Sequence, residues 1–188
     1  MGEVLMKLLL NSTPTALWHD VVHDAEVACA IGLHEDVESY LVFLLVRYTN
    51  KPEVVKQIIA TDFLHGLTLS PRHREVVLQE VGDKCLLFSG LFPNITTKRH
   101  VKIGYFVNLG QAAYGVISKT KNDIYSALSE QFIPLMDVLQ TIRRYSVEHP
   151  DLLPMQAYEL WNETGSQRAF SILKQYSGAS PIRLPDKD

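Results

Sequence analysis

The chain has 188 residues, of which 46% are hydrophobic, so it can bury a sizeable core without disulfides or metal ions. Its 18 Lys and Arg against 21 Asp and Glu leave a net charge of −3, which excludes a polycationic nucleic-acid-binding chain. Charged residues make up 21%, and 10 Gly and 9 Pro are present. These values are typical of globular proteins and exclude a disordered or low-complexity chain.

The chain contains no segment typical of export or membrane insertion. A short apolar stretch in the first ten residues is interrupted by polar residues and Pro14, where a signal peptide would need further apolar residues. The longest apolar run, 41–46, is far shorter than the ~20 residues of a transmembrane helix. Two cysteines, Cys29 and Cys85, lie within apolar helical patterns and make no disulfide framework. We therefore expect a soluble, cytoplasmic protein.

Apolar residues recur at the helical period along the chain, and no alternating strand of useful length is present. Prolines that begin helices and glycines that end them predict helices over about 14–31, 35–48, 50–66, 71–92, 101–119 and 122–148, then two short helices that separate near Gly165. The sixth is expected to kink at Pro134. The prediction is an all-α, compact bundle of six to eight helices, with a single domain over 1–177 and a flexible C-terminal tail over 178–188.

Helical-wheel positions predict which helices are enclosed. The second, fourth and fifth helices have apolar residues around most of their circumference, which is typical of the centre of a domain. The sixth helix has one apolar stripe that includes Leu128 and Leu139, opposite Glu130, Asp137 and Arg144. We expect it to pack on the outside of the bundle.

The first helix contains a candidate metal-binding pattern. His19, His23 and Glu26 recur at i, i+4 and i+7, so the three side chains point the same way, and imidazoles one turn apart chelate zinc and similar ions. This face lies roughly opposite the core face, which comprises Leu17, Trp18, Val21, Val22, Ala25 and Cys29. We therefore interpret it as a solvated polar face, with a metal site as the alternative.

Glu38 is a carboxylate on the apolar arc of the second helix, where an unpaired charge would be costly. We expect it to form a buried ion pair, with Lys84 as the predicted partner, rather than to act as a catalytic acid. Glu80 and Lys84 have the favourable i,i+4 orientation for an ion pair.

The fifth helix places Gly104, Asn108, Gln111 and Gly115 on one face. The favoured interpretation is a close helix crossing, for which small residues of the fourth helix, Gly82, Ser89 and Gly90, would supply the matching surface. The alternative is a recess for a small ligand. The candidate ligand-binding residues are then Asn108, Gln111, Glu38 and Lys84.

Basic residues suggest a local anion-binding patch, with the candidate nucleic-acid contacts Arg72, Arg74, Lys98, Arg99 and Lys102. The segments LTLSPRHREVVLQEVG and NITTKRHVK resemble parts of the helix-turn-helix domains of response regulators. The intervening segment GDKCLLFSGLF departs from that family, because it is almost wholly apolar where a short amphipathic helix is required.

No P-loop, G-x-G-x-x-G or G-x-S-x-G motif is present, and neither cysteine has an evident activating neighbour. The segments EDVESYLVFLLVRYTNKPE, EVGDKCLLFSGLFP and YFVNLGQAAYG resemble an uncharacterised all-helical family of bacterial proteins, over roughly 17–143. This resemblance implies a helical fold and supplies no functional residue.

The combined expectation is a non-enzymatic module that binds another protein, a second copy of itself or a small effector, without a cofactor, a catalytic residue or a membrane. Nucleic acid is not the expected partner. The alternatives are a helix-turn-helix-like DNA-binding regulator and a metal-dependent helical enzyme.

Overall fold

A computed structural model describes residues 13–50, 59–92, 101–120, 123–145, 152–177 and 182. Within these ranges the chain forms nine α-helices and no strand. They are α1 (Pro14–Cys29), α2 (Glu35–Asn50), α3 (Ile59–Thr68), α4 (Pro71–Leu91), α5 (Ile103–Ile117), α6 (Ile124–Glu130), α7 (Phe132–Arg144), α8 (Pro154–Thr164) and α9 (Gln167–Ser177). The predicted all-α fold is confirmed, and the helix count exceeds the predicted six to eight.

Local chemistry sets several helix ends where they were predicted. Pro14 and Pro71 occupy the first turns of α1 and α4. Backbone N–H groups in a first turn have no partner within the helix, so proline, which lacks an N–H, costs no hydrogen bond there. Thr13 caps α1, since its side chain accepts a hydrogen bond from the backbone N–H of Ala16 at 3.2 Å. Gly165 ends α8 in the left-handed conformation, with φ 76°, which glycine adopts without strain.

α4 is the central helix of the bundle. Every residue from Val81 to Gly90 is buried, and the helix packs against α3, α5 and α7. Gly82 lies against the ring of Tyr114 on α5, and Gly90 lies against Leu139 on α7. A side chain at either glycine would occupy the space of its neighbour, so both positions allow close helix packing. The predicted enclosure of α4 is confirmed.

The predicted sixth helix is two helices. α6 ends at Glu130 and α7 begins at Phe132, so the break lies a few residues before the predicted kink at Pro134. Pro134 lacks the N–H that would bond to the Glu130 carbonyl in a continuous helix. In the observed arrangement Pro134 sits in the first turn of α7, where that N–H is not needed.

Two predictions of burial are wrong. Residues 135–143 of α7 are all buried, although an outer position was predicted. Asp137, predicted to face solvent, accepts hydrogen bonds from the Ser166 hydroxyl at 2.6 Å and the Arg168 backbone N–H at 3.2 Å, because the start of α9 covers this side of α7. α2 and α5 were also predicted to be enclosed, but each has an outer face, which leaves Phe43 63% and Tyr105 44% exposed.

Buried apolar side chains form a single core within the described residues, and α3 joins it through Phe63. Of the predicted flexible tail, 178–188, the structure describes only Ile182, whose carbonyl accepts a hydrogen bond from the Tyr158 hydroxyl at 3.3 Å. The third helix was predicted to begin at about residue 50, but Asn50 ends α2, and Pro52 lies outside the described residues. No described helix is both long and apolar enough to cross a membrane. The cytoplasmic location stays a prediction.

Candidate functional site

A buried carboxylate connects three helices at the centre of the bundle. Asp83 on α4 is 4% exposed, and its Oδ1 accepts hydrogen bonds from the hydroxyls of Tyr40 on α2, at 2.6 Å, and Tyr114 on α5, at 2.7 Å. Its Oδ2 forms an ion pair with the guanidinium of Arg47 on α2. Gln79 donates from Nε2 to the Tyr40 hydroxyl at 3.1 Å. We call these five residues the Asp83 cluster.

Burial raises the pKa of Asp83, and the Tyr40 hydrogen bond and the Arg47 charge oppose part of that shift. Burial and the Asp83 charge also raise the pKa of Tyr40 and of Tyr114, so both hydroxyls stay protonated and donate. Both Asp83 oxygens are therefore engaged within the protein. The cluster fastens α2, α4 and α5 together rather than presenting a free reactive group.

Within the described residues, no hydrogen bond or ion pair links any two of the four predicted ligand-binding residues. Glu38 lies beside His19, with 3.5 Å between Glu38 Oε1 and His19 Nε2. Lys84 Nζ instead lies 3.8 Å from a carboxylate oxygen of Asp62 on α3 and 3.6 Å from one of Glu80 on α4. The predicted Glu38–Lys84 pair is therefore wrong, whereas the predicted i,i+4 pair between Glu80 and Lys84 is confirmed.

The remaining two predicted residues lie on α5. Gln111 donates from Nε2 to the Ser129 carbonyl at 3.3 Å, and the Ser129 hydroxyl donates to the Gln111 carbonyl at 3.0 Å. A helix therefore does pack at Gln111, but that helix is α6 and not α4. The glycine of α5 that faces α4 is Gly110, whose nearest neighbours include Cys85. The predicted match between the Gly104–Gly115 face and α4 is wrong because that face turns away from α4.

The outer face of α5 is free of charge. No Lys, Arg, Asp or Glu occurs between Ile103 and Ile117, and the exposed positions of the helix are Tyr105, Asn108, Ala112, Gly115 and Val116. We call these five positions the α5 stripe. A surface helix usually carries charged or polar residues on its exposed face.

A second grouping occurs where α1 meets α2. His23, Glu26 and Glu38 each offer one candidate ligand atom, and these atoms all lie within 4.8 Å of one another. His19, which contacts Glu38, lies one turn before His23. We call these four residues the α1–α2 cluster. His23, Glu26 and Glu38 are the sole group of three or more His, Cys, Asp or Glu with this spacing within the described part of the chain.

The structure corrects the predicted environment of Glu26. His19 and His23 are exposed as expected, but Glu26 is only 7% exposed. The chain after α1 turns back through Ala30, a non-glycine residue with φ 54°, and the backbone N–H of Leu33 donates to Glu26 Oε1 at 2.7 Å. Helical periodicity did not reveal this burial, because the covering residues belong to the loop.

The structure describes three of the five predicted basic residues, and two of those three bond to other groups of the protein. Lys98 and Arg99 lie outside the described residues. Arg72 is exposed, whereas Arg74 donates to two backbone carbonyls at the end of α3, at 3.2 and 3.1 Å. Lys102 forms an ion pair with a glutamate of α8 at 2.9 Å.

The resemblance to helix-turn-helix domains is not matched by the described residues. α4 runs unbroken from Pro71 to Leu91 through Gly82, whereas the motif needs two helices joined by a short turn. The second half of α4 is also fully buried. The predicted single helix over about 71–92 is therefore confirmed, and Gly82 lies within it, packed against Tyr114.

Neither cysteine has the environment of a nucleophile. Burial raises the pKa of Cys29 and of Cys85, so both stay thiols at neutral pH, whereas reactive cysteines are thiolates. Cys85 is fully buried in the core.

Comparisons of the chain with family models, curated proteins and solved structures found no match. A functional assignment therefore depends on the geometry and chemistry of the described residues.

Proposed function

We propose that this protein is a non-enzymatic interaction module and that two copies pair through the α5 stripe. The observation that carries this proposal is the absence of charge along the stripe. Exposed surfaces that lack charge and carry aromatic side chains are typical of protein–protein contacts. Tyr105 and Val116 supply apolar area, 44% and 43% exposed, while Asn108 and Gly115 add no charge.

Ion pairs border the α5 stripe at both ends. Before the helix, Lys102 Nζ lies 2.9 Å from Glu163 Oε1. After the helix, Lys119 Nζ lies 2.7 Å from Glu75 Oε2. A charge-depleted centre within a polar rim is the usual arrangement of an interface.

A second copy of the chain is the partner that this stripe fits best. In a two-fold dimer the same patch faces itself, so a charged patch would meet like charges, whereas an uncharged stripe meets none. The single methyl group of Ala112 and the missing side chain at Gly115 allow two helices to approach closely. The net charge of −3 on each copy then lies away from the contact.

A charge placed in the stripe tests the proposal. We expect Ala112→Arg to weaken self-association at least tenfold, because ~1.4 kcal/mol of desolvation and repulsion is enough for that change. The matched control is Ala28→Arg, which places the same side chain at an exposed position of α1. Sedimentation velocity over a range of protein concentrations measures the association.

The expected result is a reversible dimer for the unmodified chain and for Ala28→Arg, with Ala112→Arg monomeric at the same concentrations. A monomeric unmodified chain at every concentration would contradict the proposal. Equal association of Ala112→Arg and the unmodified chain would contradict it as well.

A further inference from the structure

We propose that the α1–α2 cluster binds one divalent transition-metal ion, with His23, Glu26 and Glu38 as ligands and His19 as the fourth. This site lies outside the α5 stripe and is independent of self-association. It draws on two helices that are joined by a short turn.

The backbone geometry brings the four side chains together. His19, His23 and Glu26 are spaced so that α1 presents them along one face. Glu38 lies in the first turn of α2, and the left-handed residue Ala30 reverses the chain between the two helices. The ligand atoms of His23, Glu26 and Glu38 lie within 4.8 Å of one another. Donors on one tetrahedral ion are roughly 3.4 Å apart, so small side-chain rotations would complete the site.

The two carboxylates point to a cation. Glu38 Oε1 is shielded from water and accepts no hydrogen bond from the described residues, and the nearest His19 nitrogen is 3.5 Å away. A buried oxygen without a donor is uncommon, and a bound cation would satisfy it. Glu26 is held by the Leu33 N–H through Oε1, which leaves its other oxygen for a ligand bond. Hydrogen-bonded carboxylates of this kind are typical metal ligands.

The donor set indicates the class of metal. Two neutral imidazoles and two carboxylates carry a charge of about −2, which a divalent ion neutralises. Imidazole with carboxylate suits Zn²⁺, Mn²⁺ and Fe²⁺, whereas Mg²⁺ and Ca²⁺ prefer oxygen ligands alone. His19 and His23 are exposed, so an ion can enter without unfolding of the bundle.

Calorimetric titration of the tag-free full chain with Zn²⁺, and with Mg²⁺ as a comparison, tests this proposal. We expect one Zn²⁺ per chain and at least tenfold weaker binding of Mg²⁺. Glu38→Gln and His23→Ala should each lower Zn²⁺ affinity at least tenfold. Glu35→Gln, on the exposed start of α2, and His65→Ala, on α3, are the matched controls and should bind as the unmodified chain does.

His23 is exposed, so its substitution by alanine leaves the core intact and the test does not depend on Glu38→Gln alone. Unmodified affinity in either cluster variant would overturn the proposal. An equal loss in the two controls would overturn it too, because binding would then be an adventitious surface effect. Self-association is measured separately, so failure of the metal site is distinguishable from failure of the proposed function.

Discussion

At the residue scale, Asp83 depends on donors from two other helices, so the loss of one donor leaves a buried carboxylate partly unpaired. Tyr40 and Arg47 come from α2, and Tyr114 comes from α5. An unpaired buried charge costs more free energy than a satisfied hydrogen bond contributes. The Asp83 cluster therefore links the position of α2 to the rest of the core.

Removal of the Arg47 charge tests this dependence. We expect Arg47→Gln to lower the free energy of unfolding by about 2 kcal/mol at neutral pH, less than for a fully buried pair because the Arg47 side chain is 50% exposed. Arg72→Gln, at an exposed position of α4, is the control and should change stability by less than about 0.5 kcal/mol. Urea denaturation measures both, and equal stability of the two variants would show that Asp83 needs no ion pair.

The same variant has a predicted pH dependence. Burial raises the folded-state pKa of Asp83 above its ordinary value, so the unfolded chain releases the proton first as the pH rises. Ionisation of Asp83 therefore reduces stability between the ordinary and the raised pKa. Without the Arg47 charge, the folded-state pKa of Asp83 rises further. The destabilisation by Arg47→Gln should therefore shrink as the pH falls from 7 towards about 4, because Asp83 becomes protonated in both proteins. A destabilisation that stays constant over this range would contradict the assignment.

Periodicity could not predict this cluster. The sequence shows charged residues at 80, 83 and 84, but helical spacing pairs Glu80 with Lys84 and gives Asp83 no partner. The partners of Asp83 are 31 to 43 residues away along the chain, and a single sequence contains no signal that pairs such distant residues. Glu38 was predicted to form a buried ion pair with Lys84, and that partner was wrong for the same reason.

At the element scale, Gly110 and Gly115 of α5 differ in the space that surrounds them. A Cβ at Gly110 would meet the ring of Phe132 and, at 2.9 Å, the Cβ of Cys85, and both neighbours are fully buried. A Cβ at Gly115 would meet only the Ser129 hydroxyl, at 3.7 Å. Close packing therefore requires glycine at the first position and not at the second.

The two glycine-to-alanine substitutions should change stability in opposite directions. We expect Gly110→Ala to lower the free energy of unfolding by about 2 kcal/mol through overpacking. Gly115→Ala should raise it by about 0.5–1 kcal/mol, because alanine loses less backbone entropy in a helix. Denaturation at low protein concentration, where self-association does not contribute, measures both. A stabilised Gly110→Ala variant would show that α5 does not pack tightly on α4 and α7.

Helix ends were predictable where a local residue sets them. Pro14, Pro71 and Gly165 act within one turn of their own position, so sequence reasoning placed these ends well. The break after Glu130 was misplaced because a proline acts on the carbonyl four residues earlier as well as on its own position. The burial of α7 and the exposed face of α2 depend on which helices cover them, and that depends on the tertiary packing.

At the scale of the whole molecule, the core and the two candidate binding surfaces are separate. α4 and α7 are enclosed. The Asp83 cluster joins α2 and α5 to α4. The α5 stripe and the α1–α2 cluster lie on different helices, so a metal ion and a second copy of the chain can bind without competing for residues.

A cysteine near the middle of the α5 stripe tests self-pairing most directly. In a two-fold dimer through the stripe, the two copies of residue 112 lie close to the axis, within reach of a disulfide whose Cα atoms are about 4–7 Å apart. The protein is oxidised mildly and its mass is then measured without reductant, for Ala112→Cys, Ala28→Cys and the unmodified chain. We expect a linked dimer with Ala112→Cys alone. A monomeric Ala112→Cys protein, or equal linkage with Ala28→Cys, would contradict the pairing of two chains through α5.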